Sequence, residues 1–123
     1  MTSTDKNTGV LQDCLGKNQC LVDLVEYSKD SIVSKAIVDK NSGTITLFAF
    51  DKGQKLSEHT SPYDAVVQVL DGSARLTIDG KEINVSNGNI IIMPCNVPHS
   101  VAADEKFKML LTMIHTKAES AIE

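Results

Sequence analysis

Between Ile32 and Ile114 apolar and polar residues change places in short runs, and no helical period is sustained. Ile32 to Val38 is rich in Ile and Val and reads as a strand, followed by a turn at Asn41-Ser42-Gly43. From Thr44 to Phe50 the residues alternate, with Ile45, Leu47 and Ala49 on one face and Thr46, Phe48 and Phe50 on the other. Both faces carry apolar residues, which predicts a strand covered on both sides, by a second sheet on one and a partner subunit on the other. Three turn dipeptides then recur: Asp71-Gly72, Asp79-Gly80 and Asn87-Gly88. Each can supply the positive φ angles of a tight hairpin. The segments around them, Ala65 to Leu70, Ser73 to Ile78, Lys81 to Val85 and Asn89 to Met93, have strand length, as does Lys106 to Ile114. Strands at this spacing predict an all-β sandwich or barrel.

The ends of the chain differ from this middle. Residues 1–20 read as a flexible N-terminal segment, polar up to Gly9, and the stretch Val10 to Glu26 fits either a short helix or an extended entry into the domain. A β domain is expected over residues 21–116, with a polar tail at 117–123.

At 123 residues the chain has the length of one domain, and 41% hydrophobic with 23% charged residues is ordinary for a globular protein. The net charge of −4, without a basic stripe and with only 4% aromatics, argues against nucleic acid and an anionic membrane as partners. No run is long and apolar enough for a membrane span, and the N-terminus lacks the apolar stretch of a signal peptide. Cys14, Cys20 and Cys95 are odd in number and show no CxxC spacing, so they read as reduced thiols of a cytoplasmic protein. No phosphate-cradling glycine loop and no GxSxG nucleophile motif is present.

Chemistry concentrates at two histidines. Gly53 stands six positions before His59 and Gly72 closes the segment; Gly88, Pro94 and His99 form a second spaced set. These two sets resemble the paired signatures of the cupin superfamily, and the chain is similar to small single-domain cupins of the cupin 2 conserved-barrel type. The first signature places a second histidine at Ser61 and a glutamate at Ala65; the second places a glycine at Asn96 and an asparagine at Ala103. Asn96 is the non-glycine type that best tolerates a left-handed backbone, so this turn is expected to survive. The resemblance implies a double-stranded β-helix, a jelly-roll barrel, with frequent dimerisation and a ligand pocket inside. It says little about the reaction, because cupins include oxygenases, isomerases, epimerases, storage proteins and sensors.

In typical metal-binding cupins three histidines and a glutamate hold the ion, so this chain carries a degenerate metal motif. His59 and His99 are the expected metal residues, for a divalent ion such as Zn, Fe, Ni or Mn. Two imidazoles alone are a weak set, since catalytic zinc takes three protein ligands and non-haem iron two histidines with a carboxylate. Glu58 points away from His59 by strand alternation; Asp64, Cys95 (a soft sulfur suited to zinc or copper(I)) and His115 are weak substitutes. Val67, Met93, Met113 and His115 are candidate pocket-lining residues, and Met109 shares a strand face with Leu111 and Met113. Three functions stay open: a protein binding a small organic ligand or, weakly, a metal ion; a cupin-type enzyme, either a metal-dependent oxygenase or isomerase or a metal-free catalyst using a histidine oriented by Asp64; and a sensor or interaction module. A homodimer is expected.

Overall fold

The computed structural model describes residues 8–115 together with the backbone of Thr4 and Asp5. The expected polar tail at 117–123 lies outside the described residues. Eleven strands are formed: β1 (Thr4–Asp5), β2 (Val10–Leu11), β3 (Ile32–Lys40), β4 (Gly43–Phe50), β5 (Lys55–His59), β6 (Asp64–Asp71), β7 (Ser73–Ile78), β8 (Lys81–Ser86), β9 (Ile90–Met93), β10 (His99–Ala102) and β11 (Phe107–Ile114). They build a seven-stranded sheet in the order β1-β2-β3-β4-β11-β6-β9 and a four-stranded sheet in the order β5-β10-β7-β8. Every pairing is antiparallel. The architecture is an all-β jelly-roll barrel, as the pattern and the resemblance predict.

Alternation sorts the core. Phe48 and Phe50 of β4 and Met109 of β11 face the four-stranded sheet, where they meet Ala74, Leu76, Val85 and Val101. Phe50 and Phe107 stack there with ring centroids 4.6 Å apart, each fully buried phenyl contributing about 1.5–3 kcal/mol. Leu47 and Ala49 face the other way, where Val25, Leu24 and Tyr27 cover them.

That outer cover corrects the expectation of a partner subunit: the chain's own N-terminal segment lies over β4. The segment contains short 3₁₀ turns at Gln12–Cys14 and Leu21–Leu24. It is held by polar contacts as well as apolar ones. Lys108 of β11 is buried, donates from Nζ to the Val22 carbonyl at 2.6 Å and lies over the Tyr27 ring. Tyr27 donates its hydroxyl to Asp71 at 2.6 Å. Order also begins earlier than residue 21: Val10 pairs with Val38, and Leu11 is buried.

The three turns divide. Asp79 and Gly80, with φ of 51° and 81°, form the two-residue hairpin between β7 and β8. Asp71-Gly72 and Asn87-Gly88 are not hairpins, because each carries the chain from one sheet to the other. Crossing between sheets requires a corner, and a corner crowds the backbone. A Cβ on Gly72 would meet the Lys106 carbonyl oxygen at 2.5 Å, and its φ is 75°.

Candidate functional site

His59 ends β5 and His99 begins β10, and the two are register partners across the four-stranded sheet. Their ring centroids are 4.4 Å apart, with planes crossing at 70°. The register slips between this pair and the next, Val101 with Leu56, so β5 contributes one residue more than β10. Such a bulge re-aims side chains. It brings Leu56 and His59, which strict alternation would place on opposite faces, to the same cavity. Glu58 stays on the outer face, beside Arg75 and Ser100.

Each imidazole is fixed by the main chain two residues before it. His59 Nδ1 lies 2.8 Å from the Ser57 carbonyl oxygen, and His99 Nδ1 lies 3.1 Å from that of Val97. A carbonyl can only accept, so Nδ1 carries the proton in both rings and the neutral form leaves Nε2 with a free lone pair. His99 is buried whereas His59 is exposed, which makes His59 the mouth of the cavity. Burial pushes the His99 pKa below the ordinary histidine value; the Val97 carbonyl opposes this and His59 adds to it.

The cavity has a volume of about 110 Å³ and is lined by Leu56, His59, Ser61, Ala65, Met93, His99, Val101, Met109, Leu111 and Met113. Both motif histidines are thus in one chamber, together with the residues at the two vacant ligand positions. Met93 and Met113 line it as well. Val67 and His115 do not. Val67 is fully buried in the core between the sheets, and His115 stacks on Tyr63 with centroids 4.1 Å apart. Leu56 and Val101 are not predicted from the sequence; the bulge that turns Leu56 inward leaves no compositional mark. Met109 and Leu111 carried a signal in the shared face of β11.

The two motif halves are hydrogen-bonded to one another. Asn96 has the left-handed φ of 62° that its glycine position demands, and its N–H donates to the Ser61 carbonyl at 2.7 Å. The Ser61 hydroxyl accepts from the Tyr63 N–H at 3.1 Å. Asp64 accepts from the Cys95 N–H at 3.0 Å. It does not orient either imidazole, since both Nδ1 atoms are satisfied by backbone carbonyls; the expected carboxylate–histidine pair is therefore not formed. Cys14, Cys20 and Cys95 are all free thiols.

Residues 46–115 match the family model of the cupin domain. The chain belongs to the cupin family. A conserved protein of unknown function from Streptococcus pyogenes is 38% identical over 81% of this chain and 88% of its own, with a TM-score of 0.78. A cupin 2 conserved barrel domain protein from Leptotrichia buccalis is 43% identical over 76% of this chain and 46% of its own, with a TM-score of 0.74. A cupin superfamily protein from Desulfitobacterium hafniense is 27% identical over 78% of this chain and 88% of its own, with a TM-score of 0.75. No curated protein matches the chain.

The divalent centre that cupins commonly hold does not fit these residues. Ala65 offers no donor, and Ser61 offers a hydroxyl already engaged by Tyr63 N–H. Among the described residues no group of three or more His, Cys, Asp or Glu is placed to hold an ion. No helix among them is long and apolar enough to cross a membrane.

Proposed function

We propose that this cupin is a binding protein whose small ligand sits in the barrel cavity and is held by Nε2 of His59 and of His99. The observation that carries the reading is the pair of Nδ1–carbonyl contacts, which leaves Nε2 as the acceptor of two rings that line one chamber. Pre-set acceptors in an otherwise apolar cavity are how small-molecule sites combine affinity with orientation. The cavity of about 110 Å³ suits a small ligand. A divalent ion would be bound weakly there, for want of a third strong donor.

The test is a titration of ¹⁵N-histidine-labelled protein with Zn²⁺, Ni²⁺, Mn²⁺ and a panel of small organic molecules, followed by NMR. At least one probe should shift both rings, and His59→Ala and His99→Gln should each remove the response. Folded protein in which no probe moves either ring would sink the reading, as would a divalent ion held near-stoichiometrically at sub-micromolar concentration.

Two further assignments belong to this reading. The unpaired cysteines suit a reducing compartment such as the cytoplasm. A second copy of the chain is the proposed partner of edge strand β9, where Ile90 and Ile92 are 61% and 58% exposed beside a backbone edge that no other described strand pairs.

A further inference from the structure

The cavity carries more sulfur than its histidines require. Met93, Met109 and Met113 come from two strands of the larger sheet, and all three line the chamber that His59 and His99 close from the smaller one. No carboxylate is among the ten lining residues. From this donor set we infer that the cavity is a site for a soft monovalent cation, copper(I), bound by the two imidazole Nε2 atoms with thioether support. The inference rests on the cavity being the ligand site and names the class of ligand.

Three physical points favour this ion over a divalent one. Thioether sulfur is a soft, neutral donor that selects copper(I) and contributes little to zinc, manganese or iron(II). Every donor in the chamber is neutral, so an ion keeps its full charge inside low-dielectric surroundings. The Born cost of that burial scales with the square of the charge, so it is about a quarter as large for a monovalent ion as for a divalent ion of equal size. Finally, copper(I) accepts low coordination numbers, and two nitrogens with one or two thioethers complete its shell. The residues at Ser61 and Ala65 that spoil a divalent centre leave such a shell intact.

The experiment is an anaerobic titration against a chromophoric copper(I) chelator, in protein whose three cysteines are replaced by serine so that thiols cannot compete. Zinc is titrated in parallel, and methionine methyl and histidine ring signals are followed by NMR. One equivalent of copper(I) should bind at least ten-fold more tightly than zinc, shifting both rings and at least one methionine methyl. The M93L/M109L/M113L variant keeps core volume, and with it the fold. It should lose at least ten-fold in copper(I) affinity while zinc affinity stays within two-fold. Copper(I) binding no tighter than zinc, or unchanged in the leucine variant, or present only with the cysteines restored, would overturn the inference. If the rings still respond to zinc or an organic probe in those cases, the ligand cavity stands and only the copper(I) assignment falls. If nothing moves the rings, both fall.

Discussion

The N–H of Asn96 donates to the Ser61 carbonyl at 2.7 Å, tying the turn before His99 to the segment after His59. Asn96 reaches this position only with its left-handed φ of 62°. Asn96→Gly should therefore be close to neutral, within about 0.5 kcal/mol, while Asn96→Val should destabilise by about 2 kcal/mol. Urea denaturation of both variants checks this; equal stability would show that the turn is not constrained.

Gly72 and Gly80 make a second contrast. Both have positive φ, but a Cβ has open space at Gly80 and meets the Lys106 carbonyl at 2.5 Å at Gly72. Gly80→Ala should cost about 1 kcal/mol from φ alone. Gly72→Ala adds a backbone collision and should cost about 3 kcal/mol or more. Thermal denaturation of the pair reads the difference directly.

Protonation of His99 gives a pH dependence. The unfolded chain takes up a proton on this ring near pH 6.5, and burial makes the folded ring resist it. The unfolded state thus binds more protons below that pH, so this contribution to stability is full above about pH 6.5 and declines as pH falls. The slope from one group is at most about 1.4 kcal/mol per pH unit. Urea midpoints at about pH 7.5 and 5.5 should differ less in His99→Gln than in the parent; an unchanged difference would refute the assignment.

The N-terminal cover is testable through Leu47 and Tyr27. Leu47 is fully buried beneath Val25, and Leu47→Ala should cost about 2–4 kcal/mol. Tyr27→Phe removes only the hydroxyl bonded to Asp71 and should cost about 1–1.5 kcal/mol. The Tyr27 phenol, pushed up by burial and by Asp71, should also resist ionisation in an alkaline absorbance titration. If Leu47→Ala has no effect, the segment is not packed on β4.

Association of two copies through β9 predicts that Ile92→Lys lowers the sedimentation mass of the protein without changing its thermal midpoint at low concentration. A parent that sediments as a monomer at high concentration would remove the proposal.

Much of this architecture can be read from residue order, and for a definite reason. Alternation in β4 and β11 separates two faces because strand side chains have a period of two, and both faces are buried as the pattern says. The left-handed turn at Asn96 and the presence of His59 and His99 in one pocket follow from spaced motif residues; their register pairing does not. What alternation cannot carry is a change of phase. The bulge in β5 shifts the facing of Leu56 by one residue, and no glycine or proline marks it. The turn dipeptides specify local φ but not whether the next strand stays in the same sheet, so two corners look like hairpins. The outer face of β4 calls for a cover; its source, residues far away in the chain, is a tertiary fact.

The strand order has a kinetic meaning. β11 is the last described strand, yet it fills the middle of the larger sheet, between β4 and β6, and its Lys108 reaches back to Val22. Contacts this distant in sequence are slow to form and open to mispairing until they do. During synthesis the edges of β4 and β6 that pair with β11 lack this native partner until β11 emerges. The cavity that His59 and His99 close from the other sheet gains its Met109, Leu111 and Met113 wall at that moment, so the site is completed by the same event that completes the fold.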